Sequence, residues 1–234
     1  MPTFADHVIE FNRALEFEGT LPPGIRVMNP FRENPGALEA SSRFYRKYYD
    51  DGTPRRIILG INPGRFGAGL TGVPFTDPKR LVSECGIEYP GPPAHEPSSA
   101  FIYAMIARYG GPAAFYRDFY INSLCPLGFT ALKPNGKEVN YNYYDSKELA
   151  EAARPFMLAC LKKQLEFSIR RDVCFCLGTG KNAAFITALN QEHGFFDRIV
   201  PLEHPRYVIQ YKTKQKQAYI DKYLEAFREA EGRG

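Results

Sequence analysis

Residues 56–69 read RIILGINPGRFGAG, an apolar run that ends abruptly in a turn rich in asparagine, proline and glycine. The run is short, and its apolar residues are continuous rather than alternating, which is typical of a strand buried on both faces. Three further short runs have the same form, and each also ends in turn residues. The four runs are residues 56–61, 119–121, 173–177 and 198–202. Together they predict four strands of one buried sheet.

Helical patterns separate these runs, so strands and helices alternate along the chain. This alternation predicts an α/β fold, a three-layer helix–sheet–helix sandwich around a central, mostly parallel four-stranded sheet. Without a repeat or a long linker, we expect a single domain over residues 1–234. Residues 21–30 are expected to form an irregular connector. Asp145 and Glu148 are expected to form a capping box before a long helix, and the last helix is expected to begin at Thr213.

The composition excludes several classes of protein. The chain has 234 residues, of which 44% are hydrophobic and 24% charged, with a net charge of +4. These values are ordinary for a globular domain and exclude a disordered tail, a coiled coil and a collagen-like fibre. No apolar stretch is long enough to span a bilayer, and the N-terminus carries acids where a signal peptide has bases, so we expect a soluble intracellular protein.

The histidines and cysteines lack the spacing of metal ligands. The five cysteines include no CxxC pair, and the four histidines are widely scattered. We therefore expect reduced cysteines, no metal site and no cofactor.

Polar side chains follow three of the four predicted strands. Asn62, Asn122 and His204 each come directly after an apolar run or at its end. Ligands of open parallel sheets bind beyond the carboxyl ends of the strands, so these three residues are expected to converge on one site. Taken singly, each asparagine is equally well explained as a turn or cap residue, and a lone histidine is more often structural. It is their combination that indicates a functional site.

Two other segments could contact phosphates. Residues 178–182 read GTGKN, which lacks the first glycine and the final Ser or Thr of a P-loop and is better explained as a tight strand-to-helix turn. From His204 to Ile220 there are no acids. This segment instead carries basic, aromatic and amide side chains, which include Arg206, Tyr207, Tyr211 and Lys212. Such a segment suits a nucleic-acid strand, although a solvated helix start is the common alternative.

Three motifs make a family resemblance visible. Residues 60–77 read GINPGRFGAGLTGVPFTD, and this segment closely resembles the first motif of the single-strand-selective monofunctional uracil-DNA glycosylases. Residues 122–127, NSLCPL, resemble the strand-end motif of that family, with a different spacing. Residues 203–205, EHP, match its C-terminal His-Pro motif. The resemblance extends in order from about residue 55 to residue 210.

The resemblance implies a role for each residue of the site. Asn62 would position the attacking water, and His204 would donate a hydrogen bond to uracil O2. Phe75 would stack on the flipped base, and Asn122 would read its edge. Gly64 and Phe66, near the base, would shape the substrate pocket. The DNA-binding residues would be Arg65, Arg206, Tyr207, Tyr211 and Lys212.

The resemblance also implies a function, which is removal of uracil and related damaged bases from DNA in base-excision repair. No lysine occupies the motif positions, so Schiff-base lyase chemistry is not expected. Asp77 and Glu203 are weaker candidates for an auxiliary base, since a turn cap and an orienting partner of His204 explain them better. After His-Pro the chain departs from the better-known members, which suggests a divergent bacterial branch.

The expected partner is DNA that contains uracil or a related damaged base, with no membrane involved. We expect a monomer that acts in the bacterial cytosol or nucleoid. Two alternatives stay open at this point. One is an α/β enzyme that acts on free nucleosides or nucleotides, and the other is a DNA-binding module without catalysis.

Overall fold

The computed structural model describes residues 1–232, which form two sheets and the helices around them. The strands are β1 (Ile25–Met28), β2 (Arg55–Gly60), β3 (Phe119–Ser123), β4 (Gly128–Leu132), β5 (Glu138–Tyr141), β6 (Ile169–Leu177) and β7 (Arg198–Leu202). The first helices are α1 (Phe4–Ala14), α2 (Pro30–Glu33), α3 (Pro35–Tyr49), α4 (Ala68–Thr71), α5 (Pro78–Ser83) and α6 (Pro97–Tyr109). The others are α7 (Pro112–Asp118), α8 (Lys147–Gln164), α9 (Lys181–His193), α10 (Pro205–Tyr211) and α11 (Lys216–Glu231). The predicted single domain over residues 1–234 extends two residues beyond this range and stays a prediction.

The central sheet confirms the predicted fold class. Its strand order is β3-β2-β6-β7, and all three neighbouring pairs are parallel rather than mostly so. Every residue of β2 is buried, as its continuous apolar run predicts. Because the four strands are parallel, their carboxyl ends lie at one edge of the sheet.

Helices cover both faces of this sheet, as the aromatic contacts of β3 show. The ring of Phe119 packs 4.5 Å from that of Phe227 on α11, whereas the next ring, Tyr120, packs 5.1 Å from Phe4 on α1. Successive side chains of a strand point to opposite faces, so α11 and α1 lie on opposite sides of the sheet. The predicted three-layer sandwich is therefore confirmed.

A second sheet corrects the prediction for residues 21–30. That segment contains β1, which pairs antiparallel with β4, and β4 pairs antiparallel with β5. The three strands have only four or five residues each, and β5 contains no fully buried residue. Strands this short give little periodic signal, and this sheet forms because its partners meet in the tertiary structure.

Several helix boundaries also differ from the predictions. The N-cap of α8 is Ser146, whose Oγ accepts a hydrogen bond from the Leu149 amide at 3.1 Å. Asp145 instead accepts a hydrogen bond from the Asn142 amide, so the predicted capping box is wrong. Thr213 begins a 3₁₀ turn that precedes α11. Residues 205–211, expected only as a basic aromatic segment, form the helix α10.

Candidate functional site

The carboxyl ends of β2, β6 and β7 open into a cleft of about 340 Å³. Asn62 and Gly64 line it from the loop after β2, and Gly178 and Gly180 line it from the turn after β6. His204 lines it from the end of β7. The convergence of Asn62 and His204 follows from the parallel sheet, because each is the second residue after a strand of that sheet.

Hydrogen bonds hold both polar atoms of the Asn62 side chain. Its Nδ2 donates a hydrogen bond to the Tyr141 carbonyl, and its Oδ1 accepts one from the Tyr143 amide, both at 3.1 Å. These backbone groups follow β5, so the second sheet orients the amide. An amide oxygen has two lone pairs, so Oδ1 can accept one further hydrogen bond from within the cleft.

His204 is held in one tautomer by the start of α10. Its Nδ1 accepts a hydrogen bond from the Arg206 amide at 3.2 Å, which makes His204 the N-cap of that helix. Burial, with the nearby Arg206 charge, lowers the pKa of the imidazole to about 4. The ring is therefore neutral at physiological pH, with its proton on Nε2, and that N–H is a hydrogen-bond donor.

Phe75 lies beside His204 in a conformation that few non-glycine residues adopt. Its φ is 54°, and its ring centroid lies 5.7 Å from that of His204. The ring packs on the end of β2, where a Cβ added to Gly60 would lie 3.0 Å from it. Left-handed backbone at a bulky residue is strained and is most often found at functional sites.

Asn122 does not line the cleft. It is buried at the end of β3, where Nδ2 donates to the Tyr120 hydroxyl at 2.6 Å and Oδ1 accepts from the Ser123 amide at 2.8 Å. It lines a separate cavity of about 10 Å³, which has room for about one water molecule. Among the described residues, Pro63 is the one that lines both spaces. Of the three residues expected in one cavity, the structure brings together Asn62 and His204 but not Asn122.

Arg65 and Phe66 lie in an adjoining cavity of about 360 Å³. The Arg65 guanidinium lies 5.1 Å from the centroid of the Phe66 ring, and the Arg65 Nε donates to Asn140 Oδ1 at 3.2 Å. More than half of Phe66 is exposed. The two cavities share Glu96, Ser98, Asn140 and Arg206, so they form neighbouring parts of one surface.

Helix α10 forms one wall of the cleft. Arg206, Tyr207 and Tyr211 line it, and the two tyrosine rings, one helical turn apart, lie 5.7 Å from each other. Lys212 follows the helix and does not line the cleft. The basic aromatic segment singled out in the sequence therefore borders the cleft through its first half.

Other residues of the cleft were not predicted from the sequence. They are Glu96, Ser98, Asn140, Asn142, Tyr144, Lys181, Asn182 and Gln210. Most lie on the second sheet or on helix starts far along the chain from the motifs. Lys181, Asn182 and Gln210 lie in segments that the sequence had singled out for phosphate or DNA contact, and the polar and aromatic alternation of residues 140–144, NYNYY, is the sequence signal for Asn140, Asn142 and Tyr144.

The two weaker candidates for an auxiliary base have structural roles. Asp77 is fully buried as the N-cap of α5, where it accepts a hydrogen bond from the Arg80 amide at 2.8 Å. Glu203 pairs with Lys222 at 2.7 Å and not with His204. The expectation that Glu203 orients the histidine is therefore wrong, because the backbone of α10 does so.

Residues 1–232 contain neither a cluster of metal-binding side chains nor a membrane-spanning helix. Among these residues no three His, Cys, Asp or Glu side chains are grouped to hold a metal ion. Their helices also include none with the length and apolar character needed to cross a membrane. All five cysteines are buried, and none of them forms a disulfide.

Comparisons with a family profile, a solved structure and individual sequences match related proteins. The sequence profile of the Uracil DNA glycosylase superfamily matches residues 46–228. The crystal structure of wild-type Pedobacter heparinus SMUG2 matches with a TM-score of 0.97 and 58% sequence identity, over 99% of this chain and 100% of that one. The single-strand selective monofunctional uracil DNA glycosylases of Bos taurus and Rattus norvegicus are 30% and 32% identical over 114 residues. These segments cover 42% of this chain and only 41% and 40% of those relatives.

Proposed function

The chain belongs to the Uracil DNA glycosylase superfamily, and we propose that it is a monofunctional DNA glycosylase that hydrolyses the N-glycosidic bond of uracil and related damaged bases in DNA. The observation that carries the proposal is the placement of Asn62 and His204 in one cleft at the carboxyl edge of the sheet. In this proposal the chain acts as a monomer in base-excision repair, in the bacterial cytosol or nucleoid.

His204 stabilises the leaving base. When the glycosidic bond breaks, negative charge develops on the base and positive charge on the sugar. The neutral imidazole, with Nδ1 occupied by the Arg206 amide, directs its Nε2–H at uracil O2. A preorganised donor of this kind is typically worth about 3 kcal/mol in the transition state.

Asn62 positions the water that attacks the anomeric carbon. Its amide is already oriented by Tyr141 and Tyr143, so holding the water requires no reorganisation of the side chain. An amide oxygen is not basic, however. Asn62 therefore orients the water without removing its proton.

Phe75 and Asn122 bind the flipped base. The strained Phe75 stacks on it, and Asn122 accepts a hydrogen bond from N3–H and donates one to O4. A space of about 10 Å³ does not admit a pyrimidine, so base entry must displace the contacts of Asn122 with Tyr120 and Ser123. Phe75 and Asn122 are close along the sheet edge, because a Cβ on Gly60 would lie 3.0 Å from the Phe75 ring and 3.6 Å from the Asn122 backbone carbonyl oxygen.

The surface around the cleft binds the DNA strand. Arg65 and Arg206 neutralise phosphates next to the flipped nucleotide, and Lys212 does so farther along. Tyr207 and Tyr211 offer stacking surfaces, as does the exposed ring of Phe66 in the adjoining cavity. Gly64 shapes the cleft, where a Cβ would lie 3.3 Å from Asn140 Nδ2.

Uracil release from a labelled oligonucleotide tests the proposal. We expect the wild type to produce abasic sites, and Asn62→Ala and His204→Ala each to lower the single-turnover rate about 100- to 1,000-fold. Asn135→Ala, in the exposed turn between β4 and β5, is the matched control and should retain the wild-type rate.

Three results would contradict the proposal. Undiminished activity of both site variants would refute the roles of Asn62 and His204. Activity on free nucleosides with none on DNA would support the nucleoside-processing enzyme. Binding of uracil-containing DNA without abasic product would support the non-catalytic module.

A further inference from the structure

Glu96 is the only acidic residue that lines the cleft among residues 1–232. It directly precedes α6, but its carboxyl group does not cap that helix. Its backbone amide donates to Asp77 Oδ2 at 2.6 Å, while the carboxyl itself has neither an ion pair nor a hydrogen bond within the described residues. A carboxyl group that is half-buried and without a partner needs an explanation.

The carboxyl group rests against the loop that carries Asn62. A Cβ added to Gly67 would lie 1.8 Å from Glu96 Oε2, and one added to Gly64 would lie 3.6 Å from Oε1. A side chain at position 67 would therefore displace the carboxyl group. Gly64 and Gly67, two and five residues beyond Asn62 in that loop, thus create the space in which the Glu96 carboxyl group reaches the cleft.

The charges around Glu96 act on its ionisation in opposite directions: that of Asp77 opposes it and that of Arg206 favours it. The buried Asp77 carboxylate lies on one side, and Arg80 and His95 already contact that carboxylate at 3.2 and 3.3 Å. The charged or titratable side chains that line the two cavities with Glu96 are Arg65, His95, Lys181, His204 and Arg206. Burial and the Asp77 charge raise the pKa of Glu96 to about 7, against the effect of Arg206. Near neutral pH the group can therefore both accept and release a proton.

We infer that Glu96 is the general base that takes the proton from the attacking water. The inference rests on the proposed function, in which Asn62 orients the water but cannot deprotonate it. Glu96 lines the same cleft, supplies the basic oxygen that Asn62 lacks and has no structural partner that would hold it elsewhere. It is thereby a catalytic residue that the three motifs do not contain.

The reaction balances as follows. The water oxygen forms a bond to C1′ of the deoxyribose as the bond from C1′ to the base nitrogen breaks, and the electron pair of that bond leaves with the base. One water proton passes to the Glu96 carboxylate, and the other stays on the new C1′ hydroxyl. The base leaves as an anion bound by His204 Nε2–H and is protonated by solvent.

The pH dependence of single-turnover uracil excision tests this inference. We expect the wild-type rate constant to be near its maximum at pH 8 and to fall about tenfold per pH unit below about 7. Glu96→Gln should lower the rate at pH 8 about 100-fold or more and abolish that decline. Only the decline near pH 4, where His204 is protonated, should then remain. Glu229→Gln, on the exposed face of α11, should behave as wild type.

Chemical rescue separates a catalytic role from a structural one. Glu96→Ala leaves space near Gly67, so added formate should restore part of its activity, in proportion to formate concentration. A wild-type rate and pH profile in Glu96→Gln would overturn the inference. A second result would also overturn it: Glu96→Gln is slower but keeps the wild-type pH profile, and formate does not restore the activity of Glu96→Ala. That combination means structural damage. If the wild type releases no uracil, the proposed function itself fails, which is a distinct result.

Discussion

The imidazole of His204 owes its tautomer to a backbone amide rather than to a carboxylate. The Arg206 N–H occupies Nδ1, and Glu203, the adjacent acid, is bound to Lys222. Burial of the ring, followed by the nearby Arg206 charge, opposes protonation and lowers its pKa to about 4. A neutral donor is the form that can stabilise an anionic base while keeping its own proton.

Within residues 1–232, Lys181 is the one lysine among the residues that line the cleft. It lies at the start of α9 and lines the cleft, with Nζ 3.5 Å from the Tyr144 carbonyl oxygen. An amine near the anomeric carbon could form a Schiff base with the abasic product. The monofunctional proposal assigns no such step to it.

We predict that borohydride does not trap a covalent complex between the chain and uracil-containing DNA. Lys181→Gln should accordingly release uracil within about threefold of the wild-type rate, because Lys181 only borders the site. Denaturing electrophoresis of borohydride-treated reactions measures the first outcome. A trapped complex that disappears in Lys181→Gln would show that the enzyme is bifunctional.

Among the secondary-structure elements, α10 joins the proposed catalytic His204 to the proposed DNA-binding surface. Its N-cap is His204, and its exposed face presents Arg206, Tyr207 and Tyr211 to the cleft. Tyr207 and Tyr211 are four residues apart, so they lie on the same face of the helix, and both are largely exposed. A movement of this helix would therefore alter catalysis and DNA contact together.

We predict that Tyr207→Ala and Tyr211→Ala each weaken the binding of single-stranded DNA. Base stacking on an aromatic ring is worth about 1–3 kcal/mol, or about 5- to 150-fold in affinity. Tyr→Phe at either position should retain most of the affinity, since the ring carries the interaction. Fluorescence anisotropy in an Asn62→Ala background, which prevents turnover, measures the effect. Leu132→Ala, an exposed apolar control on β4, should bind normally. Equal losses in the Phe and Ala variants would contradict stacking.

Across the whole molecule, charge is nearly balanced, with a net charge of +4, so a general attraction to DNA is weak. Residues 205–220, which begin at the cleft, instead carry basic and no acidic side chains. Arg206 lines the cleft, and Lys212, Lys214 and Lys216 follow α10 toward α11. DNA affinity should consequently depend on a few local phosphate contacts.

We predict that DNA binding weakens steeply as salt concentration rises, and less steeply when Lys212, Lys214 and Lys216 are all replaced by glutamine. Each phosphate contact to a single strand adds about 0.7 to the slope of log affinity against log salt, so the triple variant should lose about 2 from that slope. Binding titrations from 50 to 300 mM salt measure it. An unchanged slope would place the DNA path away from this segment.

The fold of the central sheet was predictable because β2 and β3 are buried along their whole length. Short continuous apolar runs such as residues 56–61 are typical of strands in a parallel sheet, and the right-handed connections of such a sheet allow few topologies. The family membership indicated by residues 60–77 is also confirmed. The second sheet was not predictable. Residues 25–28 and 138–141 are short and half-buried, and they become strands only by pairing with β4.

The sequence alone determined that Asn62 and His204 meet in one cleft, because parallel strands end at one edge of the sheet. Only the tertiary structure decided what surrounds them. Side-chain direction and ionisation depend on residues distant in sequence. Asn122 is turned away by Tyr120 and Ser123, and Glu96 enters the cleft over Gly67. Burial and the field of neighbouring charges, which no local pattern encodes, set the pKa values.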